Sequence, residues 1–390
     1  MIEEFRKQYG SAEGVRVYRA PGRVNVIGEH TDYNLGFVMP MALDLATYVA
    51  TAPATDGKLR IYSEHQQALE EFEPDRLHEA QRQHRWTDYP IGVAQELMRA
   101  GFPIEPANLY IRSTVPEGAG LSSSAALEVS SALAFLNGRG FDPLQLALLC
   151  QRAEVQFVGM PCGIMDQYVS IFGRAHAAVE IDCRSQQHRY VQLPDSVAFV
   201  AVNSMVKHAL GASAYRERVQ ECAAAVEKIK QRFHTVESLR DVSVEQFEAV
   251  VKLLPPVIAR RARHVITENA RVNLFLQASE RGDLKEMGVL LVESHRSLQK
   301  DYEVSSAELD FLVDAALTMR GVFGARMTGG GFGGCTVNML LPEAVPQFRA
   351  DIARAYEEVF HVTPKMYDCR PSPGAGEVTD FAAIPPAVAR

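Results

Sequence analysis

Four side chains suited to binding a small polar molecule lie close together near the start of the chain. The run from Pro21 to Tyr33 reads P-G-R-V-N-V-I-G-E-H-T-D-Y. Its chemically active members are Arg23, Glu29, His30 and Asp32. Two carboxylates, an imidazole and a guanidinium supply donors and acceptors for many hydroxyl groups. A solvated, charged turn is the alternative interpretation, and two distant segments argue against it.

The first of these segments is rich in glycine and serine. Pro116 to Ala126 reads P-E-G-A-G-L-S-S-S-A-A, and a helical pattern follows over 127–136. At a helix start, free backbone N–H groups and the helix dipole favour negative charge, and serine hydroxyls can bind phosphate or a metal ion. An ordinary serine N-cap is the structural alternative. The segment is not a Walker loop, because G-x-x-x-x-G-K-[ST] does not occur in the chain.

The second segment, Met327 to Thr336, reads M-T-G-G-G-F-G-G-C-T. It formally contains G-x-G-x-x-G at Gly329, Gly331 and Gly334, but a dinucleotide-binding loop needs a strand before it and a helix after it. Here a helical pattern precedes the glycines and a strand pattern follows them. We therefore predict a glycine hairpin or tight turn whose backbone comes close to a ligand or to another loop.

The elements that must position these segments can be read from hydrophobic periodicity. Val15 to Arg19 alternates like a half-buried strand and Phe37 to Leu43 is apolar, so the first polar cluster lies on a loop between strands. Residues 120–175 look mainly helical, a new strand opens at 198–202, and a long helical region runs over 214–317. We predict a domain boundary near residue 190, which gives domains at 1–190 and 191–390.

Composition narrows the class of protein. The chain has 390 residues, 47% of them hydrophobic, which is enough for two or three compact domains. A net charge of −8 argues against binding of nucleic acid. The start has no apolar core typical of a signal peptide, and no uncharged stretch reaches membrane-spanning length. The six cysteines lack C-x-x-C pairing, so we predict reduced thiols, no zinc site and a cytoplasmic location.

Taken in order, the three segments resemble the galactokinase family, within the superfamily of galactose, homoserine, mevalonate and phosphomevalonate kinases. Other matching stretches are M-P-C-G-I-M-D-Q at 160–167, R-A-R-H-V-I-T-E-N at 261–269, D-Y-E-V-S at 301–305 and P-S-P-G-A-G near the C terminus. The likeness covers nearly the whole chain. The glycine-serine loop marks only the superfamily, whereas E-H-T-D-Y singles out the galactokinase branch.

The resemblance implies an α+β fold of two domains, which are an N-terminal domain with a mixed sheet and a C-terminal ferredoxin-like domain. The active site would lie between them. It also implies transfer of phosphate from MgATP to the anomeric C1 hydroxyl of galactose, giving galactose 1-phosphate and ADP. This is the first committed step of galactose catabolism. No nucleic acid, membrane or obligate protein partner is expected.

Residue roles follow from the same resemblance. Asp166 and Arg23 would be catalytic. The sugar would contact Glu29, His30, Asp32, Gly163 and Tyr215. The nucleotide would contact Gly118, Gly120, Ser122, Ser123 and Ser124, with Trp86 and Arg85 near adenine. Ser124 and Glu154 would hold Mg²⁺, which prefers hard oxygen ligands.

Two other functions share most of these motifs. A kinase for N-acetylgalactosamine or another sugar would differ mainly in the room near the second hydroxyl, and the intact E-H-T-D-Y run favours plain galactose. A non-catalytic sensor of galactose and ATP would typically lack a Ser-Ala pair in the glycine-serine loop. That loop is complete here, at Ser122 to Ala126.

Overall fold

The computed structural model describes residues 1–207 and 211–386, which form two β-sheets flanked by helices. The strands are β1 (Arg16–Ile27), β2 (Phe37–Pro53), β3 (Leu59–Ser63), β4 (Ala68–Phe72), β5 (Ala107–Ser113), β6 (Ala177–Asp182), β7 (Gln187–Gln192), β8 (Ala198–Lys207), β9 (Val322–Thr328), β10 (Gly333–Leu340), β11 (Lys365–Asp368) and β12 (Gly376–Glu377). The helices are α1 (Ile2–Tyr9), α2 (Asp88–Arg99), α3 (Ser123–Leu136), α4 (Pro143–Arg152), α5 (Met165–Phe172), α6 (Gly211–Lys230), α7 (Val244–Val250), α8 (Pro256–Glu280), α9 (Leu284–Ser297), α10 (Ala307–Leu317) and α11 (Val345–Phe360).

The first sheet is mixed, as predicted. Its strand order is β12-β1-β2-β5-β3-β4, with β6 paired to the start of β2 and β7 paired to β6. The β3–β5 pair is parallel and the other pairs are antiparallel. The chain returns to this sheet near its end, because β12 pairs with β1 through Tyr18 and Glu377.

The second sheet is antiparallel, with the order β11-β8-β10-β9. The strand predicted at 198–202 is β8, and the predicted helical region contains α6 to α10. A helix does precede the glycine-rich segment, but β9 lies between them, a strand that the helical pattern did not predict. Val322, Phe323 and Thr328 at its ends favour strands, but its middle residues G-A-R-M carry little β preference and pair with β10.

The largest hydrophobic core joins the two sheets. It brings Val24 of β1 and Met41 of β2 together with Phe275 of α8, Met287 of α9 and Val337 of β10, all of them fully buried. Burial of this much apolar surface fixes β1 against elements from the C-terminal half. The loop that follows β1 is thereby held at the junction between the two sheets.

Several helix ends carry the residues of interest. Ser122 is the N-cap of α3 and has a left-handed backbone with φ of 58°. The short helix α5 carries Asp166 in its first turn. Two π-helical turns, Ala153–Val158 after α4 and Leu298–Tyr302 after α9, carry Glu154 and Tyr302. Such turns are rare in proteins and occur often at functional sites.

In the described part of the chain, no helix combines the length and the apolar character that crossing a membrane requires. All six cysteines are free thiols; Cys162 is half-buried and the others are buried.

Candidate active site

Arg23 and Asp166, the predicted catalytic residues, form a two-pronged ion pair. Arg23 Nε donates to Asp166 Oδ1 at 2.8 Å and Nη2 donates to Oδ2 at 2.7 Å. The third nitrogen, Nη1, donates to the carbonyl of Gly120 at 2.6 Å. Burial opposes the charge on Arg23, but the carboxylates of Asp166 and Glu29 outweigh it and raise the pKa of the guanidinium. The two side chains therefore hold each other in a fixed orientation. The Asp166 side chain keeps 21% of its surface exposed.

Ser122 also contacts this pair. Its hydroxyl donates to Asp166 Oδ2. Ser122 makes no side-chain cap hydrogen bond to α3, and its hydroxyl contacts Asp166 of α5 instead. Gly120 and Ser122, both predicted to cradle phosphate, thus contact Arg23 and Asp166 directly.

Asp32 and Gly163 lie against each other. A Cβ atom added to Gly163 would be 1.9 Å from Asp32 Oδ2, so a larger residue at this position would displace the Asp32 side chain. Burial, and next the charge of Asp166, raise the pKa of Asp32 to about 7. The predicted sugar-binding residues Asp32 and Gly163 are therefore neighbours, and both lie near Asp166.

His30 is surrounded by tyrosine rings. Its ring centroid lies 4.8 Å from that of Tyr302, 5.3 Å from that of Tyr215 and 5.9 Å from that of Tyr33. His30 Nδ1 and the Tyr33 hydroxyl are 2.9 Å apart, and the hydroxyls of Tyr33 and Tyr302 are 2.6 Å apart. Burial, and next the nearby His264, lower the pKa of His30 to about 3, so the imidazole is neutral at neutral pH.

Tyr215 is placed beside His30, as its predicted role requires. Tyr33 and Tyr302 were not among the predicted site residues. Both stand in matched stretches, directly after Asp32 and in D-Y-E-V-S, and that position was the available signal.

Glu29 is buried and paired with a residue from the far end of the chain. Arg326 of β9 donates from Nη2 to Glu29 Oε2 at 2.8 Å. Its Nη1 donates to the carbonyls of Asn25 and Val26, at 3.0 Å each. Burial raises the pKa of Glu29 although Arg326 opposes the shift. Arg326 is fully buried, and sequence reasoning missed it although it is a lone cation among small and apolar residues.

Helix α8 holds the same loop from another side. Glu268 Oε1 accepts hydrogen bonds from the backbone N–H groups of Gly28 and Glu29, at 3.0 and 3.2 Å. His264 Nε2 lies 3.1 Å from the carbonyl of Glu29. These residues belong to the matched stretch at 261–269, but their contact with Glu29 could not be read from it.

A cavity of about 620 Å³ opens beside the glycine-serine loop. Its lining includes five of the predicted nucleotide-binding residues: Arg85, Trp86, Gly118, Ser123 and Ser124. The start of α3 faces the cavity through Ser123 and Ser124, so free backbone N–H groups are available to an anion there. The cavity has the size of a small-molecule site.

Glu154 and Ser124, the predicted metal ligands, lie close together. Glu154 Oε2 accepts from Gln167 Nε2 at 2.6 Å and from the Cys162 thiol at 3.6 Å. Burial, and next the charge of Asp166, raise the pKa of Glu154 to about 7. A carboxylate and a hydroxyl are hard oxygen ligands that fit a hard cation; Ser124 lines the cavity, whereas Glu154 is not among its lining residues.

The described residues contain no cluster of three histidine, cysteine, aspartate or glutamate side chains able to hold a metal alone. A cation at Ser124 and Glu154 would therefore take its other ligands from phosphate oxygens and water, as Mg²⁺ commonly does.

The glycine-rich turn between β9 and β10 packs against the glycine-serine loop. A Cβ atom on Gly329 would lie 3.2 Å from the carbonyl oxygen of Gly120, and one on Gly334 would lie 3.2 Å from that of Ala119. The predicted hairpin is confirmed, and the backbone that it approaches is another loop.

Comparison with known proteins identifies three matching family models. A galactokinase galactose-binding signature matches residues 3–53, the GHMP kinases N terminal domain matches 88–174 and the GHMP kinases C terminal model matches 275–358. The chain is 47% identical to a galactokinase of Roseiflexus sp. (strain RS-1) over 382 residues, which cover 97% of each protein.

Two solved kinase structures are also similar to this chain. The crystal structure of Lactococcus lactis galactokinase complexed with galactose matches with a TM-score of 0.93 and 34% identity, over 97% of this chain and 98% of that one. A mevalonate kinase of Methanococcus jannaschii matches with a TM-score of 0.67 and 16% identity, over 91% of this chain and 98% of that one. The second match concerns the fold alone.

Proposed function

The chain belongs to the galactokinase family and is an ATP-dependent sugar kinase, and we propose the substrate and the residue roles from that premise. The predicted α+β fold with its mixed sheet is confirmed by the same matches. The proposed reaction transfers the γ-phosphoryl group of MgATP to the anomeric C1 hydroxyl of α-D-galactose. Its products are galactose 1-phosphate and ADP.

The Arg23–Asp166 pair carries most weight in this proposal. Phosphoryl transfer asks a protein mainly for positioning and for neutralisation of charge on the transferring oxygens. Asp166 would accept the proton of the anomeric hydroxyl or stabilise it as it leaves, and Arg23 would meet charge on the phosphoryl oxygens. The geometry supports both roles, since Arg23 binds Asp166 and the phosphate-loop residue Gly120 together.

The remaining sugar hydroxyls would bind Glu29, His30, Asp32 and Tyr215. Gly163, which has no side chain, leaves room for the Asp32 carboxylate. One oxygen of Glu29 is occupied by Arg326, so the other is the one proposed to accept from a sugar hydroxyl. Because buried polar groups lose free energy when left unpaired, a site of this kind rejects analogues that lack a hydroxyl. The galactose complex of the Lactococcus lactis enzyme supports this substrate.

The 620 Å³ cavity is the proposed ATP site. Ser123 and the backbone at Gly118 would hold phosphates, and Trp86 and Arg85 would lie near adenine. Ser124 and Glu154 would hold Mg²⁺ against the β- and γ-phosphates. When bound, that cation would neutralise charge on the phosphate oxygens.

We also propose a domain division near residue 190 and a cytoplasmic location. Strands up to Gln192 pair within the first sheet, and Ala198 begins the second. Six free thiols suit a reducing compartment.

The first experiment is a turnover panel. The purified protein is incubated with MgATP and galactose, glucose, N-acetylgalactosamine or arabinose, and both ADP release and the sugar phosphate are measured. We expect galactose-dependent turnover that yields galactose 1-phosphate. Preference for N-acetylgalactosamine would overturn the proposed substrate, and binding without turnover would favour the sensor.

Asp166→Asn tests the catalytic assignment. Loss of a positioned proton acceptor should lower kcat by about 10²–10⁴-fold, while nucleotide affinity changes little. The matched control is Asp44→Asn, an exposed aspartate on β2, which should leave kcat unchanged. Near-normal turnover of Asp166→Asn would refute the role of Asp166.

A further inference from the structure

One amide side chain bridges two buried carboxylates behind the proposed metal site. Gln167 Nε2 donates to Glu154 Oε2 at 2.6 Å and to Glu128 Oε2 at 2.9 Å. Gln167 and Glu128 are completely buried, and Glu154 is 7% exposed. Gln167 directly follows Asp166 on α5, so the amide connects the catalytic helix to Glu154.

The contacts close into a ring on α3. Ser124 and Glu128 stand four residues apart on that helix and therefore share one face. Ser124 lies close to Glu154, Glu154 accepts from Gln167, and Gln167 also donates to Glu128. Three separate elements, α3, α5 and the π-helical turn after α4, meet through these four side chains.

Stability alone does not account for Glu128. Its Oε1 atom has no hydrogen-bond partner among the described residues, and neither has Gln167 Oε1. Burying a carboxyl group with one neutral amide as its partner costs free energy, and an apolar side chain would fill the same space without that cost. Burial, and next the charge of Glu154, raise the pKa of Glu128 well above its ordinary value.

These contacts determine which carboxylate oxygen of Glu154 could bind a cation. Gln167 and Cys162 both donate to Oε2, so the orientation of the carboxylate is defined from that side. The other oxygen, Oε1, accepts neither of these hydrogen bonds and is the one proposed to meet the cation. Neither Glu128 nor Gln167 lines the cavity, and Gln167 is the side chain that joins Glu128 to Glu154 by hydrogen bonds.

We propose that Glu128 and Gln167 are positioning residues that hold Glu154 in place for the divalent cation of the bound nucleotide. This inference rests on the proposed role of Glu154 as a metal ligand. It adds two residues that the motif analysis did not select. Loss of a group that orients a metal ligand typically lowers metal affinity or activity by about 10–100-fold.

The test measures Mn²⁺ affinity in the enzyme–ADP complex by electron paramagnetic resonance, separately from turnover. Gln167→Met should weaken Mn²⁺ binding by about 10-fold or more, and Glu128→Met should weaken it by about 3-fold or more. Glu128→Gln keeps an acceptor oxygen for Gln167 and should stay within about 2-fold of the wild type. Galactose affinity without nucleotide should change little in all three.

A double variant separates an indirect role from a direct one. If Glu128 acts only through Gln167, Glu128→Met combined with Gln167→Met should bind Mn²⁺ no more weakly than Gln167→Met alone. The matched control is Gln95→Met. Gln95 is a buried glutamine of α2 that donates to the carbonyls of Leu77 and Ala80, so its loss should lower thermal stability and leave Mn²⁺ affinity unchanged.

Wild-type Mn²⁺ affinity in a folded Gln167→Met or Glu128→Met protein would overturn the inference and leave the proposed function intact. Additive losses in the double variant, or equal losses of galactose affinity, would also overturn it. Failure of the wild-type complex to bind Mn²⁺ would overturn both the inference and the proposed Ser124–Glu154 metal site.

Discussion

At the scale of single residues, the folded protein disfavours the ionised form of Asp32. Its carboxylate lies against Gly163 and near Asp166, and burial together with that neighbour raises the pKa of Asp32 to about 7. In the unfolded chain an aspartate has a pKa of about 3.9. The folded state therefore binds the proton more tightly than the unfolded state, which favours folding at low pH.

We predict the pH dependence of unfolding from this shift. The stabilising effect of the Asp32 proton is complete below about pH 4 and is lost as pH rises through about 7. Asp32→Asn cannot ionise, so its free energy of unfolding should rise relative to the wild type between pH 4 and 8. Urea unfolding without ligands measures the difference.

The control for this experiment is Asp75→Asn, which changes an exposed aspartate. Its difference from the wild type should stay constant over the same range. A constant difference for Asp32→Asn as well would contradict the raised pKa.

At the scale of elements, turns rather than strands position the proposed site residues. The hairpin turn between β9 and β10 approaches the glycine-serine loop through Gly329 and Gly334, and it approaches the segment after α9 through Gly331. Phe332 N–H donates to the carbonyl of Val304 at 2.7 Å, which fixes that second contact. Gly329, Gly331 and Gly334 thus allow three backbone segments to approach closely.

Gly331→Ala should destabilise this junction. Gly331 has φ of +83°, and an added Cβ would lie 2.2 Å from the carbonyl oxygen of Val304. The left-handed backbone alone costs an alanine about 1–2 kcal/mol, and the clash adds to that. Gly140→Ala is the matched control, since a Cβ there meets nothing within 4 Å. Equal urea midpoints for the two variants would count against the close packing.

At the scale of the whole molecule, a buried ion pair joins the two sheets. Arg326 on β9 of the second sheet reaches Glu29, which follows β1 of the first, across 297 positions of sequence. Arg326 also binds two carbonyls of β1. The proposed sugar site therefore depends on how the two halves of the chain pack, in addition to its own loop.

Arg326→Met should test this coupling. The change leaves the Glu29 carboxylate buried without its partner, which typically costs about 3–5 kcal/mol of stability. Adding Glu29→Gln should recover part of the loss by removing the isolated charge. Chemical unfolding of the single and double variants measures both effects.

Arg354→Met provides the comparison, because Arg354 is exposed and pairs with Asp351 on the same helix. Loss of such a surface pair should cost less than about 1 kcal/mol. An equally small cost for Arg326→Met would show that the buried pair does not hold the two sheets together.

Much of the site followed from the sequence because its central features are contiguous. Residues such as Glu29 and Asp32 lie within one loop, and the glycine-serine segment lies at one helix start, so their spacing in the chain already limits their spacing in space. For the same reason, periodicity predicted parts of β1, β2 and β8 and the helical regions at 120–175 and 214–317. β9 was missed because its middle residues G-A-R-M do not favour a strand by themselves and a helical pattern precedes the segment, which pairs with β10.

The tertiary structure alone decided which distant groups support that loop. Arg326, Glu268 and Tyr302 reach it only when the sheets and α8 have packed. The same packing brought Gln167 between Glu128 and Glu154. Local sequence specifies which residues are near in the chain. Burial of the shared core determines which side chains meet across it, and no short stretch of sequence shows which elements will pack together.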